Sequence, residues 1–182
     1  RQDPEGGLCR YGDECGLEYS GGSLGQALSV AIGTCLSFKK SGITNKAFVL
    51  MGDGELNEGS VWESFMAAAH YRLDNLVTII DRNHLSYDGD TESVMALEPL
   101  ADKLRAFNLN LIECDGHSTR SLLESFASLS EEHPNVIIAD TVKGKGVSFM
   151  ENRREWHHHA LTEEQYLQAE SEIKAGFTEA WG

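Results

Sequence analysis

Two oxygen-bearing side chains stand where two successive apolar segments of this sequence end. Asp53 follows the run 46–51, and Asn83 follows the run 75–81 and one intervening residue. Apolar residues recur at helical spacing between the runs, from about 57 to 71, so the stretch is predicted to be strand, helix, strand. Because parallel strands joined by a helix end at the same edge of a sheet, we expect Asp53 and Asn83 to lie side by side.

The chemistry of this pair is that of a hard-cation site. Carboxylate and amide oxygens suit Mg²⁺ or Ca²⁺, and two such ligands with a backbone carbonyl leave positions for phosphate oxygens. Gly52 and Gly54 flank Asp53 and let the backbone approach an anion, while the helix start that follows supplies N–H donors. The pattern predicts a Mg²⁺–diphosphate site at the carboxyl edge of the sheet. The alternative is a plain tight turn and an unrelated loop asparagine.

The residues around this pair resemble the thiamine-diphosphate motif of the transketolase family. The likeness is carried by Gly-Asp-Gly-Glu-Leu-Asn-Glu-Gly-Ser-Val-Trp-Glu, then by Ala-Ala-Ala-His-Tyr-Arg-Leu-Asp-Asn-Leu, and then by Asn83. It extends from about Ser20 to about His157, which is most of the chain. The resemblance implies that thiamine diphosphate and Mg²⁺ (or Ca²⁺) are the cofactors.

The resemblance assigns the metal ligands residue by residue. It implies that the side chains of Asp53 and Asn83 and the main-chain carbonyl of Leu85 bind the metal. It also implies that Gly54 gives its N–H to the diphosphate, where a Cβ atom would crowd the phosphate.

Further family positions fall at both ends of the chain. The stretch 21–26 resembles the family segment that flanks the aminopyrimidine ring, which implies that role for Gly22 and Leu24. A helix start with a core leucine is the alternative there. Lys143 and His157 match a basic pair that contacts the diphosphate or the nearby substrate, and the resemblance makes His157 a catalytic candidate.

Glu58 has two interpretations of equal standing. It corresponds to a family acid at the subunit interface that links two cofactor sites, and on that basis it is the second catalytic candidate. It could equally be a glutamate favoured by the dipole of the first helical turn. His158 and His159 depart from the family pattern, and we interpret them as surface residues rather than a transition-metal site.

The chain differs from the family near its start and ends before the family's second half. Asp3 stands where the family has a histidine that handles the sugar substrate, so a specialised acceptor, such as a thiol on a carrier protein, stays open. The resemblance covers the diphosphate-binding half of the family and not its pyrimidine-binding half. The resemblance therefore implies a separate partner subunit that carries this half, in an α2β2 heterotetramer.

The function implied is transfer of a two-carbon ketol unit from a ketose phosphate by a two-chain, transketolase-like enzyme. One alternative is the α subunit of a 2-oxo acid dehydrogenase, which shares Gly-Asp-Gly and Asn but not the long Glu-Leu-x-Glu-Gly run or the Trp-His segment. A non-catalytic subunit that binds only its partner is another.

Composition excludes several classes of partner. With 182 residues and a net charge of −14, the chain is expected to bind neither nucleic acid nor an anionic membrane surface. It has no apolar run of bilayer length and no signal-peptide pattern. Cys35 and Cys114 lie in apolar patterns and are predicted to be core residues, whereas a metal or disulfide role for Cys9 and Cys15 is the less favoured alternative. A reducing, cytoplasmic location is expected.

The remaining pattern alternates strands and helices. We predict a helix from a Ser23 cap to about Lys40, strands at 109–114 and 136–142, and helices at 99–107, 119–130 and 161–177. Leu24, Met66, Leu123 and Phe126 are predicted to face inward. The expected fold is α/β: a doubly wound, mainly parallel sheet with helices on both faces. We expect a single domain, 1–182, with an N-terminal arm, 1–22, and an active-site loop, 143–160.

Overall fold

The structure, a computed structural model, describes residues 16–181, with side chains through residue 176. Asp3, Cys9, Cys15 and most of the predicted arm lie outside the described residues. Within the described range, four parallel strands form one sheet in the order β1-β2-β4-β3. The strands are β1 (Ala47–Gly52), β2 (Leu76–Arg82), β3 (Asn110–Asp115) and β4 (Asn135–Asp140). The predicted α/β fold with a parallel sheet is confirmed.

Helices alternate with the strands. They are α1 (Gln26–Ser41), α2 (Gly59–His70), α3 (Thr91–Val94), α4 (Leu100–Ala106), α5 (Thr119–Ala127) and α6 (Glu163–Trp181), with short 3₁₀ turns at Gly54–Asn57 and Arg154–His157. None of the helices within residues 16–181 is long and apolar enough to cross a membrane.

One face of the sheet carries the main core. Side chains alternate along a strand, so Val49 and Met51 of β1 point to the same face and are buried there with residues of α1, α2 and α4. The opposite face is covered by α5, whose Phe126 ring meets Phe48 at a centroid distance of 6.2 Å. Helices therefore lie on both faces.

The first strand is less buried than its apolar sequence suggests. Phe48 is 57% exposed and Leu50 is 72% exposed, because β1 is an edge strand and α5 reaches only part of this face. The prediction of a buried strand is right for Val49 and Met51 and wrong for these two residues.

Four predicted inward side chains are exposed, and Leu24 is one of them. Met66 lies about one residue step away from the buried stripe of α2, which runs through Val61, Phe65 and Ala68. On α5, Leu123 and Phe126 are exposed, while Ser125 is the buried residue. Apolar spacing found both helices, but it misassigned the rotation of α2 and overestimated how much of α5 the neighbouring elements cover.

The first helix begins later than predicted. Gly25 caps α1 with a left-handed φ of 78°, and the residues before it form a turn, so Ser23 is not the cap. Cys35 is fully buried as predicted, and Cys114 is half-buried.

Candidate functional site

The carboxyl ends of β1 and β2 bring Asp53 next to the segment that follows β2. Gly52 pairs with Asp81 in the parallel ladder, and Asp53 continues this pairing by donating its N–H to the Asp81 carbonyl at 3.2 Å. Beyond the strand, the N–H of His84 donates to Asp53 Oδ2 at 2.7 Å. Asp53 is thus in direct contact with the segment that holds Asn83 and Leu85.

Asp53 is a buried carboxylate with fixed orientation. It is 1% exposed, and Gly54 N–H donates to its Oδ1 at 2.8 Å. In this arrangement the Gly54 amide is engaged by Asp53, so the predicted donation to a diphosphate requires that this hydrogen be shared or released. A Cβ on Gly54 would lie 3.2 Å from Ser86 Cβ. The predicted approach to a phosphate stays a prediction.

The side chain of Asn83 is held by its own segment. Its Oδ1 accepts from Leu85 N–H at 3.0 Å, and its Nδ2 donates to Asp81 Oδ2 at 3.3 Å. Asp81 is in turn bonded to the hydroxyl of Thr141, which follows β4. The ends of β1, β2 and β4 are therefore tied together at one edge of the sheet.

The donor set of this edge fits a hard divalent cation. One carboxylate, one amide oxygen and one main-chain carbonyl, from Asp53, Asn83 and Leu85, are the ligand types that Mg²⁺ and Ca²⁺ take. In the part of the chain that the structure describes, no three His, Cys, Asp or Glu side chains cluster as a metal site. His158 and His159 are both exposed.

Arg82 is a site residue that our sequence interpretation missed. It is 3% exposed and donates to Asp53 Oδ2 at 3.0 Å. Burial opposes its charge, but its hydrogen bonds to Glu98 and Asp53 outweigh burial and raise the pKa of the guanidinium. Strand alternation could have revealed it, because Arg82 shares the buried face of β2 with Ile80.

The turn that carries Gly22 and Leu24 docks against the residues after Asp53. Gly25 N–H donates to Glu55 Oε1 at 2.8 Å, and Ser60 Oγ donates to the Gly25 carbonyl at 3.0 Å. Leu24 is 50% exposed, so the alternative of a core leucine is wrong. An exposed leucine held in a fixed turn is available to a ligand or a partner.

Glu58 lies between the 3₁₀ turn and α2. It occupies the N-cap position with extended backbone (φ −79°, ψ 125°) and caps no helix amide with its side chain. Its side chain is exposed beside Gly25. Glu58 thus precedes the first turn of α2, and the interface role remains a prediction.

His157 lies beside the loop that follows Asn83, and Lys143 is near enough for its charge to act on the imidazole. The His157 ring lies 5.7 Å from the ring of Tyr87, and Arg154 Nη1 donates to the Asp88 carbonyl at 2.6 Å. Partial burial lowers the pKa of His157, and the charges of Lys143 and His158 lower it further. The lowered pKa favours the neutral imidazole, which has one donor and one acceptor nitrogen.

Two clefts separate this loop from the segment after Lys143. One, of about 320 Å³, is lined by Tyr87, Asp88, Arg154, Glu155, His157 and His158. The other, of about 540 Å³, is lined by Leu85, Gly89, Asp90 and residues 151–155. Both offer space for a polar ligand next to the Asn83 segment.

We expect His157 to titrate below its ordinary value of 6.5 and the Lys143→Met variant to bring that pKa back up, because one of the nearby positive charges is gone. NMR titration of the histidine C–H signals, assigned with His157→Gln, measures this. Lys145→Met removes a cation that pairs with Glu151 instead and is the matched control. An unchanged His157 titration in Lys143→Met would contradict the expectation.

The same shift gives stability a direction with pH. Since the folded pKa of His157 is lowered, the unfolded chain takes up this proton first as the pH falls through 6.5. The contribution of His157 to the free energy of unfolding is therefore fully present above pH 6.5. It is lost as the pH falls from 6.5 to the lower pKa of the folded state.

Comparison with known proteins finds similarity to transketolases. Residues 5–180 match the family described as "Transketolase, thiamine diphosphate binding domain". One subunit of the apulose-4-phosphate transketolase of Phocaeicola vulgatus is 44% identical over 160 residues, which are 87% of this chain and 57% of that protein. The 6-deoxy-6-sulfo-D-fructose transketolase subunit SqwG of a Clostridium species is 38% identical over 87% of this chain and 58% of that protein. The chain thus spans little more than half the length of these relatives.

Solved structures agree. A transketolase from Campylobacter jejuni superposes with a TM-score of 0.82 at 28% identity, covering 87% of this chain and 26% of that one. A transketolase from Leishmania mexicana gives a TM-score of 0.79 at 27% identity and covers 87% of this chain and 26% of that one.

Proposed function

Because this chain belongs to the transketolase family, through its thiamine-diphosphate-binding domain, we propose that it is the diphosphate-binding subunit of a two-chain enzyme. The enzyme transfers a two-carbon ketol unit from a ketose phosphate to an acceptor. One observation carries the proposal: the buried Asp53 carboxylate contacts the segment of Asn83 and Leu85 at the carboxyl edge of a parallel sheet. Ligands of α/β proteins bind at this edge.

The metal would be held by the Asp53 and Asn83 side chains and the Leu85 carbonyl, with Mg²⁺ as the proposed ion and Ca²⁺ as its substitute. Their donor types support this, and so does the direct bond between Asp53 and His84 N–H. Gly54 is proposed to donate to the diphosphate by exchanging its bond to Asp53.

Thiamine diphosphate, when bound, supplies the nucleophilic carbon at which the donor's C–C bond is broken and the new bond is made. The chain's own residues bind and orient the cofactor and the substrate. Lys143 adds positive charge beside the diphosphate, and neutral His157 holds or accepts a proton at a ring nitrogen facing the substrate. Gly22 and Leu24 are proposed to border the aminopyrimidine ring.

A partner subunit is part of the proposal. The relatives are named as transketolase subunits, which supports a partner. The exposed Leu24 and Glu58 lie where a partner could complete the site. We propose that a pyrimidine-binding subunit supplies the rest of the cofactor site, in an α2β2 assembly.

The location and the substrates are also part of the proposal. Cys35 and Cys114 are free thiols, which supports a reducing cytoplasm. The relatives' names refer to a sugar phosphate and a sulfo sugar, which supports a sugar donor with an anionic group. The acceptor is an aldose phosphate or, as a specialised case, a carrier-protein thiol.

The test is calorimetric titration with thiamine diphosphate and Mg²⁺, with and without a pyrimidine-binding transketolase subunit. We expect cation-dependent binding, tighter with the partner, and turnover of xylulose 5-phosphate rather than pyruvate by the reconstituted pair. Titration in excess EDTA is the control and is expected to show no binding. Absence of binding in both conditions would favour a non-catalytic subunit, and turnover of pyruvate would favour a 2-oxo acid dehydrogenase.

A further inference from the structure

Arg82 joins the proposed metal ligand to a separate part of the fold. One nitrogen, Nη1, donates both to Asp53 Oδ2 at 3.0 Å and to Thr91 Oγ1 at 2.7 Å. The other, Nη2, donates to Glu92 Oε1 at 3.1 Å and to Glu98 Oε1 at 3.0 Å. The guanidinium thus connects the residue after β1 to α3 and to Glu98, which lies just before α4.

The far side of this connection is itself rigid. Glu92 accepts from the N–H groups of Leu97 and Glu98, at 3.0 and 3.3 Å. Glu98 accepts from Leu100 N–H at 2.8 Å. The carboxylates that hold the guanidinium are therefore fixed by backbone amides, so Arg82 cannot follow Asp53 if that side chain turns.

The two oxygens of Asp53 are left in unequal positions. Oδ2 accepts from Arg82 Nη1 and from His84 N–H, and two donors fill the capacity of one carboxylate oxygen. Oδ1 accepts from Gly54 N–H, so among the described residues it is the oxygen with one lone pair to spare. If Gly54 turns its N–H to a diphosphate, both lone pairs of Oδ1 become available.

We propose that Arg82 is a positioning residue that reserves Asp53 Oδ2 and leaves Oδ1 alone for the cation. Coordination by a single oxygen suits the strict octahedron of Mg²⁺, whereas Ca²⁺ takes more ligands and accepts both oxygens of a carboxylate. Arg82 therefore biases the site toward Mg²⁺ over Ca²⁺. This inference rests on the proposed function, because it needs a cation at Asp53.

The measured quantity is the ratio of the affinities for Ca²⁺ and Mg²⁺ in the presence of thiamine diphosphate, together with the partner where the proposed function requires it. Removing the positive charge of Arg82 changes the attraction of both divalent ions alike, so the charge effect cancels in the ratio. For Arg82→Met we expect the ratio to move toward Ca²⁺ by about tenfold, the scale on which groups behind a metal ligand act.

Two control variants distinguish the positioning role of Arg82 from a general loss of folding stability. Arg105→Met removes an arginine of α4 that pairs with Asp102 and Glu113 at the surface, and it is expected to leave the ratio unchanged. Glu98→Gln weakens the anchor of Arg82 without freeing Asp53, and it is expected to lower thermal stability with an unchanged ratio.

Arg82→Gln keeps a polar side chain but is too short to reach Asp53 Oδ2, so it serves if Arg82→Met fails to fold. We expect it to shift the ratio in the same direction. A folded Arg82→Met or Arg82→Gln with the ratio of the unmodified chain would overturn the inference alone. Absence of cation binding by the unmodified chain would instead overturn the proposed function.

Discussion

Asp53→Asn is expected to remove cation-dependent cofactor binding, lowering the affinity for Mg²⁺ with thiamine diphosphate by ~100-fold or more. Asp53 is the only charged member of the proposed donor set, and the neutral amide loses most of the attraction for a divalent ion. The substitution keeps the side-chain shape. Its oxygen can still accept a bond from His84 N–H or Gly54 N–H, and Arg82 keeps its bonds to Glu92 and Glu98, so the fold is expected to survive at a lower stability.

Isothermal titration of Mg²⁺ into each variant with thiamine diphosphate and the partner subunit measures the effect, and far-UV circular dichroism reports the fold. Asp115→Asn is the matched control. It removes a carboxylate at the end of β3, on the same sheet edge, whose Oδ1 accepts from His117 N–H at 2.8 Å. Mg²⁺ affinities of Asp53→Asn and Asp115→Asn that agree within about threefold would contradict the metal assignment.

Moving the carboxylate by one strand separates charge from orientation. The double variant Asp53→Asn, Asn83→Asp restores the net charge but puts the acid beside Asp81, to which Asn83 Nδ2 now donates. Arg82 and His84 N–H both donate to the side chain at position 53, and neither donates to the side chain at position 83. We therefore expect no recovery of Mg²⁺ binding, and recovery would show that charge alone is sufficient.

The position of the site was predictable because it depends on short-range pattern. Apolar runs marked where β1 and β2 end, and parallel strands joined by one helix have little freedom in how their ends align. This alignment brings Asp53 and Asn83 to one edge whatever the order of the other strands. That order, β1-β2-β4-β3, was not predicted, because it depends on which side each later strand joins.

The environment of Asp53 could be predicted only in part. Arg82 follows from strand alternation, but its partners Glu92 and Glu98 come from a segment with weak helical pattern that returns to the end of β1. Nothing local in the sequence indicates that return. The Glu55 contact to Gly25 is likewise made between residues 30 positions apart.

The extent to which a helix face is buried is a second limit of sequence pattern. Leu123 and Phe126 have the spacing of core residues, but α5 covers only part of the sheet face that carries Phe48 and Leu50, so all four side chains are exposed. Apolar residues at helical spacing predict a face but not the share of it that the neighbouring elements cover. The exposed fractions follow from the sheet edge, which is a property of the whole fold.

Gly25→Ala is expected to destabilise the chain by about 3 kcal/mol. Gly25 has a φ of 78°, which a residue with a Cβ adopts at a cost. The new Cβ would lie 2.9 Å from Glu58 Cβ and well inside contact with Ser60 Oγ. Urea unfolding followed by circular dichroism measures the loss.

Gly33→Ala is the control on the same helix. A Cβ at Gly33 meets nothing within 4 Å, and the change is expected to stabilise α1 by up to ~1 kcal/mol through helix propensity. The unfolding free energy should therefore fall in Gly25→Ala and rise in Gly33→Ala. Equal values in the two variants would contradict the close packing of Gly25 against Glu58 and Ser60. Because Glu55 and Ser60 hold both sides of the Gly25 residue, displacing it also shifts the turn of Leu24. Gly25→Ala is then expected to weaken thiamine diphosphate binding more than its loss of stability explains, whereas Gly33→Ala leaves binding unchanged.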